Sequence, residues 1–324
     1  MRRREFISVL GCAALWPAVA RAQTGLPVIG YLSARSAPTE APMREPFLRA
    51  LEEAGFVVGR NISIEYRHSE GREDQLLELA SELVRRQVAI LVTMDRPSSL
   101  AAKAATSTIP ILFGTGDDPV RLGLVASLNK PGGNATGIYS FTTRLGGKRL
   151  GLIRQLLPEP GLIALLVNPN TASTPSQIEE MEQAASTIGQ PLLVLRAGTE
   201  REGDAAFDTM AQKKVKAVQL GTTLYFQVIN DRLVELAARH RIPALYEWRE
   251  AVLAGGLMSY NSNRTEVARR IGHYTAQILK GAKPADLPTV QSSRFELVIN
   301  LKTAKALGLE IPATLLAQAD EVIE

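Results

Sequence analysis

From residue 26 onward, short apolar runs rich in β-formers alternate with stretches whose apolar residues recur at helical spacing. Runs at 27–34, 62–69, 89–94 and 109–114 predict strands, with helices between them at 43–54, 73–86 and 98–106. A second set at 162–168, 191–197, 217–221 and 244–247 repeats the alternation, with helices near 175–188, 202–213 and 228–240. Strands that are apolar throughout, separated by amphipathic helices, build parallel sheets covered on both faces. The fold class is therefore α/β, two Rossmann-like lobes in succession, although no repeat is visible at the level of sequence. The helix near 175 has the fullest punctuation. Thr174 is placed to cap it, Pro175 suits its first turn, Gln177 completes a capping box and Gly189 stops it.

The joins between lobes fall at turn clusters. Pro131-Gly132-Gly133-Asn134 is one, with a strand leaving it at 135–139; Ala254-Gly255-Gly256 is another, leading into a strand at 257–260. A long amphipathic helix at 264–280, a Pro-containing stretch at 283–288, a strand at 295–299 and a helix at 301–307 remain. That tail is too short for a third domain, so it must complete the first two. The expected division is an N-terminal lobe of 23–137 plus 257–289 and a C-terminal lobe of 138–256 plus 290–324. Repeated crossings of this kind make a hinge, and a hinge between two lobes makes a cleft.

Residues 1–22 carry a different pattern. Arg2-Arg3-Arg4-Glu5-Phe6-Ile7 is followed by an apolar run to Ala20, and Ala20-Arg21-Ala22 precedes Gln23. A charged start, a short apolar stretch and a small-x-small site form an export signal, expected to be cleaved after Ala22. The Arg3-Arg4-Glu5-Phe6-Ile7 core resembles a twin-arginine signal. The run is too short, and too interrupted by Pro17, to span a bilayer, and no other segment is long and apolar enough. The periplasm is the expected location, where ATP and reduced nicotinamide are not supplied, so most enzyme classes drop out. Cys12, the only cysteine, lies in this leader, and Val9-Leu10-Gly11 before it matches a lipid-attachment motif only loosely. The exported chain would then have no thiol for a disulfide, a metal or a nucleophile. Removing the leader also changes the charge: 33 basic and 32 acidic residues remain, a net charge of +1. A near-neutral chain without a basic patch gives a nucleic-acid partner no electrostatic support.

Catalytic constellations are missing from the pattern. His68, His240 and His273 are scattered, and neither a nucleophile elbow nor a Walker loop is present. Gly114-Thr115-Gly116-Asp117-Asp118 follows a strand but lacks the third glycine of a phosphate cradle, and Pro119 interrupts it. Polar groups at strand ends are left, which is where open α/β sheets bind ligands. In the first lobe these are Ser33, Thr93, Ser98, Ser99 and Asp117; in the second they are Ser140, Asn168, Thr222, Tyr246 and Glu247, with Tyr260 near the hinge. Ser98 and Ser99 open a helix after Pro97, where free backbone N–H groups would favour a solute carboxylate; the alternative is that Ser98 caps its own helix. Tyr31, Tyr246, Trp248 and Tyr260 are available as walls, or as ordinary packing.

Longer runs are specific. Asp118-Pro119-Val120, Gly123 to Leu128, Pro131 to Gly137, Ala254 to Tyr260, and Phe295 to Gly308 resemble signatures of the ABC transporter substrate-binding proteins, in the branch with tryptophan- and tyrosine-type binding proteins. The resemblance runs through essentially the whole chain after the leader. It implies a type I periplasmic binding protein fold with three crossings, and a monomer without cofactor that captures a small solute. The solute would pass to a membrane permease driven by a separate ATPase. By position it implies contacts at Ser33, in the loop from Thr93 to Ser98, and at Asp117-Asp118-Pro119. One departure is local: relatives have a small, Gly-rich stretch where this chain has Met94-Asp95-Arg96. Arg96 could pair there with an acid, or Asp95 with an amine. A sensor subunit feeding a signalling receptor and a secreted α/β hydrolase stay open as rival readings.

Overall fold

The computed structural model describes residues 25–159 and 161–324, so the expected leader, with Cys12, lies outside the described residues. The chain begins as β1 (Val28–Ser33), α1 (Ala37–Glu53), β2 (Ser63–His68), α2 (Leu76–Arg85), β3 (Ile90–Thr93), α3 (Arg96–Ala105), β4 (Ile111–Thr115) and β5 (Ala135–Tyr139). It continues as α4 (Gly146–Leu156), β6 (Ile163–Val167), α5 (Thr174–Thr187), β7 (Leu192–Arg196), α6 (Glu200–Gln212), β8 (Ala217–Leu220), α7 (Leu224–Val228), α8 (Asn230–His240), β9 (Ala244–Tyr246) and α9 (Arg249–Leu253). Then follow β10 (Met258–Ser262), α10 (Arg264–Leu279), β11 (Val290–Gln291), β12 (Phe295–Asn300), α11 (Leu301–Leu307), α12 (Ala313–Leu316) and β13 (Glu321–Ile323).

Two sheets result, in the orders β11-β5-β4-β3-β1-β2 and β13-β12-β10-β9-β8-β6-β7. Every pairing is parallel except β10 with β12. Each sheet is packed on both faces. One face of the first holds Ile29, Phe47, Val92 and Ile271, and the other Leu32, Leu83, Leu91 and Phe113. Alternate strand residues thus reach opposite cores, which is why these strands read as unbroken apolar runs.

The sheets place the crossings differently from the sequence boundaries. The first crossing follows β5, whose Ile138 and Tyr139 still pair with β4 and β11, so it lies after 139 rather than at 137. The second was expected before 257. Met258 to Ser262 instead pair with β9 and β12 in the second sheet, and the chain crosses only after Ser262. The third lies after β11, at the edge of the first sheet, instead of before residue 290. Hydrogen bonding decides these places, and apolar pattern alone cannot show which sheet a strand joins.

Candidate functional site

The β1 and β3 ends are tied by a buried knot of charges. Glu40, at the start of α1, accepts from Tyr31 Oη at 2.6 Å, and Ser33 Oγ lies 2.6 Å from Glu40 Oε2 and 3.3 Å from Asp95 Oδ2. Arg35 Nη1 stands 3.6 Å from Glu40 Oε2 and 3.5 Å from Asp95 Oδ2, and donates to the Met94 carbonyl at 3.1 Å. Burial pushes the Tyr31 hydroxyl well up, reinforced by Glu40. Asp95 also caps α3: its Oδ1 accepts from the Ser98 amide at 2.9 Å. The helix N-terminus offered for a solute carboxylate is therefore already occupied by a carboxylate of the chain itself.

Ser33, Thr93, Ser98 and Ser99 consequently lie beneath the cleft. Thr93 Oγ1 meets Ser99 Oγ at 2.8 Å, and Ser98 and Ser99 donate to the Asp95 carbonyl at 3.2 and 2.6 Å. Arg96 points the other way, to 3.8 Å from Asp117 across the mouth of the site. At the Met94-Asp95-Arg96 departure both charges thus face partners within the chain, Asp95 with Arg35 and Arg96 with Asp117.

On the opposite side, α4 and α5 support the wall. Arg149 is buried, donating to the Tyr260 carbonyl at 2.9 Å and Thr222 Oγ1 at 3.2 Å, and burial lowers its pKa. Thr222 also exchanges bonds with Gln177, its amide donating at 2.7 Å and its carbonyl accepting at 2.9 Å. That use of Gln177 explains why the expected capping box is not made. Gln177 Nε2 reaches Ser173 and Thr222, while Thr174 Oγ1 donates to the Asn168 carbonyl at 2.5 Å, and α5 begins without a side-chain cap. Asn168 shapes the same loop by accepting from the Asn170 amide at 2.9 Å.

Between the sheets lie two adjoining cavities of about 260 and about 300 Å³. The first is rich in hydroxyls and is lined by Asp117, Ser140, Thr222 and Glu247 among the predicted residues. The second is walled by Leu220, Phe226, Leu233 and Tyr246, and the two share Gln227, Glu247, Trp248 and Arg264. Tyr260 is outside both, stacked on Phe295 at 5.8 Å, and Tyr31 is part of the core. Arg35 Nε donates to Gln227 Oε1 at 3.3 Å, a direct link from the first lobe to α7 of the second.

Several buried polar atoms in this space lack a partner. Glu247, 6% exposed, has Oε1 bonded to Asn261 at 3.2 Å while Oε2 is unpartnered, and burial raises its pKa against the pull of Arg149, Arg264 and Arg35. Tyr246 Oη, Trp248 Nε1 and Arg264 Nε and Nη2 are unpartnered as well. The Arg264 guanidinium lies 4.3 Å over the Trp248 ring. Arg35, Glu40, Arg149 and Arg264 were not expected here. Their one signal in the sequence is weak: charged residues near predicted strand ends or helix starts.

Residues 32–323 match the family model described as ABC transporter substrate binding protein. A tyrosine-binding protein of Clostridioides difficile strain R20291 is 25% identical over 273 residues, covering 84% of this chain and 78% of that protein. The crystal structure of an ABC domain in complex with L-Trp from Streptococcus pneumonia is 26% identical, with a TM-score of 0.83 over 92% of this chain and 100% of that one. A conserved domain protein from Vibrio cholerae is similar too, at 25% identity and a TM-score of 0.84, over 92% of this chain and 100% of that one. The architecture is that of the type I periplasmic binding proteins, and the chain belongs to the ABC transporter substrate-binding protein family.

Proposed function

We propose that this protein is an extracytoplasmic solute receptor of an ABC importer. Exported by its N-terminal leader, it holds a small solute between its lobes and passes it, unaltered, to a permease with a separate ATPase. One observation carries the reading: the space between the sheets is bordered by both lobes and holds buried, unpartnered donors and acceptors. Such groups cost free energy until something bonds to them, and a guest that does so from both sides favours the closed arrangement. Asp117, Ser140, Thr222 and Glu247 are the expected direct contacts. Ser33, Thr93, Ser98 and Ser99 hold the wall behind them, and no catalytic role is assigned to any of these.

The Clostridioides relative is named for tyrosine and the Streptococcus structure holds L-Trp, which supports an amino acid as the class of guest. Micromolar capture corresponds to roughly −8 kcal/mol, within reach of a cleft with several directed hydrogen bonds. The test is a thermal-shift screen of amino acids, small carboxylates and aromatics, followed by small-angle scattering. A true guest raises the melting temperature by mass action and shrinks the particle. A broad panel in which no compound does either rejects the receptor reading.

A further inference from the structure

The two cavities differ in what they leave unbalanced. Their combined lining has six acidic side chains, Glu73, Asp95, Asp117, Asp231, Glu247 and Glu250, against Arg35, Arg96 and Arg264, with no lysine or histidine. Each arginine already stands within 4.0 Å of a carboxylate: Arg35 by Asp95, Arg96 by Asp117, and Arg264 by Glu250 at 3.4 Å. The surplus is negative, in a chain whose charge beyond residue 22 is close to neutral. Near the second cavity the excess is concentrated. Asp231, Glu247 and Glu250 line it with Arg264, while Arg35 and Arg149 act on Glu247 from outside it, and Glu247 Oε2 and Glu250 Oε2 are buried without partners. Its remaining wall is apolar, made by residues such as Leu220, Phe226 and Leu233. At the boundary with the first cavity, Trp248 Nε1 and Arg264 Nε and Nη2 are donors in want of an acceptor.

We propose, on the reading that this cleft is the solute site, that its guest is a basic amino acid with an unbranched aliphatic stem. The guest carboxylate meets Arg264 and Trp248 at the shared wall. The stem lies along the apolar side of the second cavity, and the terminal ammonium reaches the carboxylates of Glu250 and Asp231. An aromatic side chain leaves those acids unanswered, whereas an amine both neutralises the surplus and bonds to the orphaned oxygens.

The test is calorimetry on the full chain with L-lysine, L-norleucine and L-tyrosine. Norleucine has the lysine stem without its terminal amine, so the pair isolates the charge. Lysine is expected to bind at least about tenfold tighter than norleucine. Glu250→Gln should weaken lysine more than norleucine, since both share the Arg264 that Glu250 faces and only lysine brings the terminal ammonium. Asp231→Asn, at an exposed position, gives the same readout if Glu250→Gln melts early. Norleucine or tyrosine binding as tightly as lysine overturns the basic guest and leaves the receptor reading standing. A variant that weakens lysine and norleucine equally, or neither, overturns it as well. Failure of all three compounds also overturns it, and the receptor reading falls only if the wider screen fails too.

Discussion

Glu247 is held where its ionised form is disfavoured, since burial outweighs the three nearby arginines in setting its pKa. In the unfolded chain it titrates near the ordinary glutamate value of about 4.3. Folding therefore takes up protons between that value and the raised one, and stability falls as pH climbs through this interval, then levels off. Glu247→Gln should raise the melting temperature of the unliganded protein at neutral pH, and scanning calorimetry should show the gain vanishing as pH drops to about 4.3. Asp95 is the contrasting case, because it both caps α3 and faces Arg35. Asp95→Ala should cost about 1 kcal/mol for the cap, and more because Arg35 is left with Glu40 alone. Asp95→Asn retains the capping oxygen, so its own loss in urea denaturation reads the charge together with the Oδ2 contacts, and the further loss in Asp95→Ala reads the cap. None of this was visible beforehand. A lone Arg or Glu in sequence looks like surface, and only folding shows that Arg35, Glu40 and Asp95 share one buried pocket.

Most strands were legible because both of their faces are buried, and this leaves long apolar runs between punctuated helices. Helix α1 was read as starting at 43, yet it begins at Ala37 and contains Pro38, Pro42 and Pro46. Pro42 hid its first turns, since a proline beyond the first turn is ordinarily a breaker. Helix α4 was missed behind the glycines at 146 and 147, and α7 and α9 are too short to show a period. Of the expected positions, strand-end placement was the usable signal: Asp117, Ser140, Thr222, Tyr246 and Glu247 line the cavities, but it could not tell cleft-facing groups from the layer beneath. Packing between α1 and α10 is close enough to test at one residue. A Cβ on Gly272 would stand 2.6 Å from the Phe47 carbonyl oxygen and 2.7 Å from Ala50 Cβ. Helix propensity alone would favour Gly272→Ala by about 1 kcal/mol. A net loss, expected at about 1–3 kcal/mol in denaturant titration, would show overpacking winning.

At the level of the whole molecule, Arg35 to Gln227 is a direct lobe-to-lobe hydrogen bond near the cleft centre, beside that of Arg264 with Glu250. Gln227→Ala should enlarge the unliganded radius of gyration in scattering and leave the solute-bound value unchanged, because a guest supplies its own bridge. The placement of α10 bears on how the molecule is made. Its Ala268, Ile271, Ala276 and Ile278 fill the core around Phe47, although the entire second lobe up to Ser262 is translated before them. A nascent chain leaving the ribosome thus carries an unfinished first core until synthesis is nearly done. Neither half can be cut out as a contiguous fragment, and a stop codon anywhere before residue 264 strips the cover from Met43, Phe47 and Leu51.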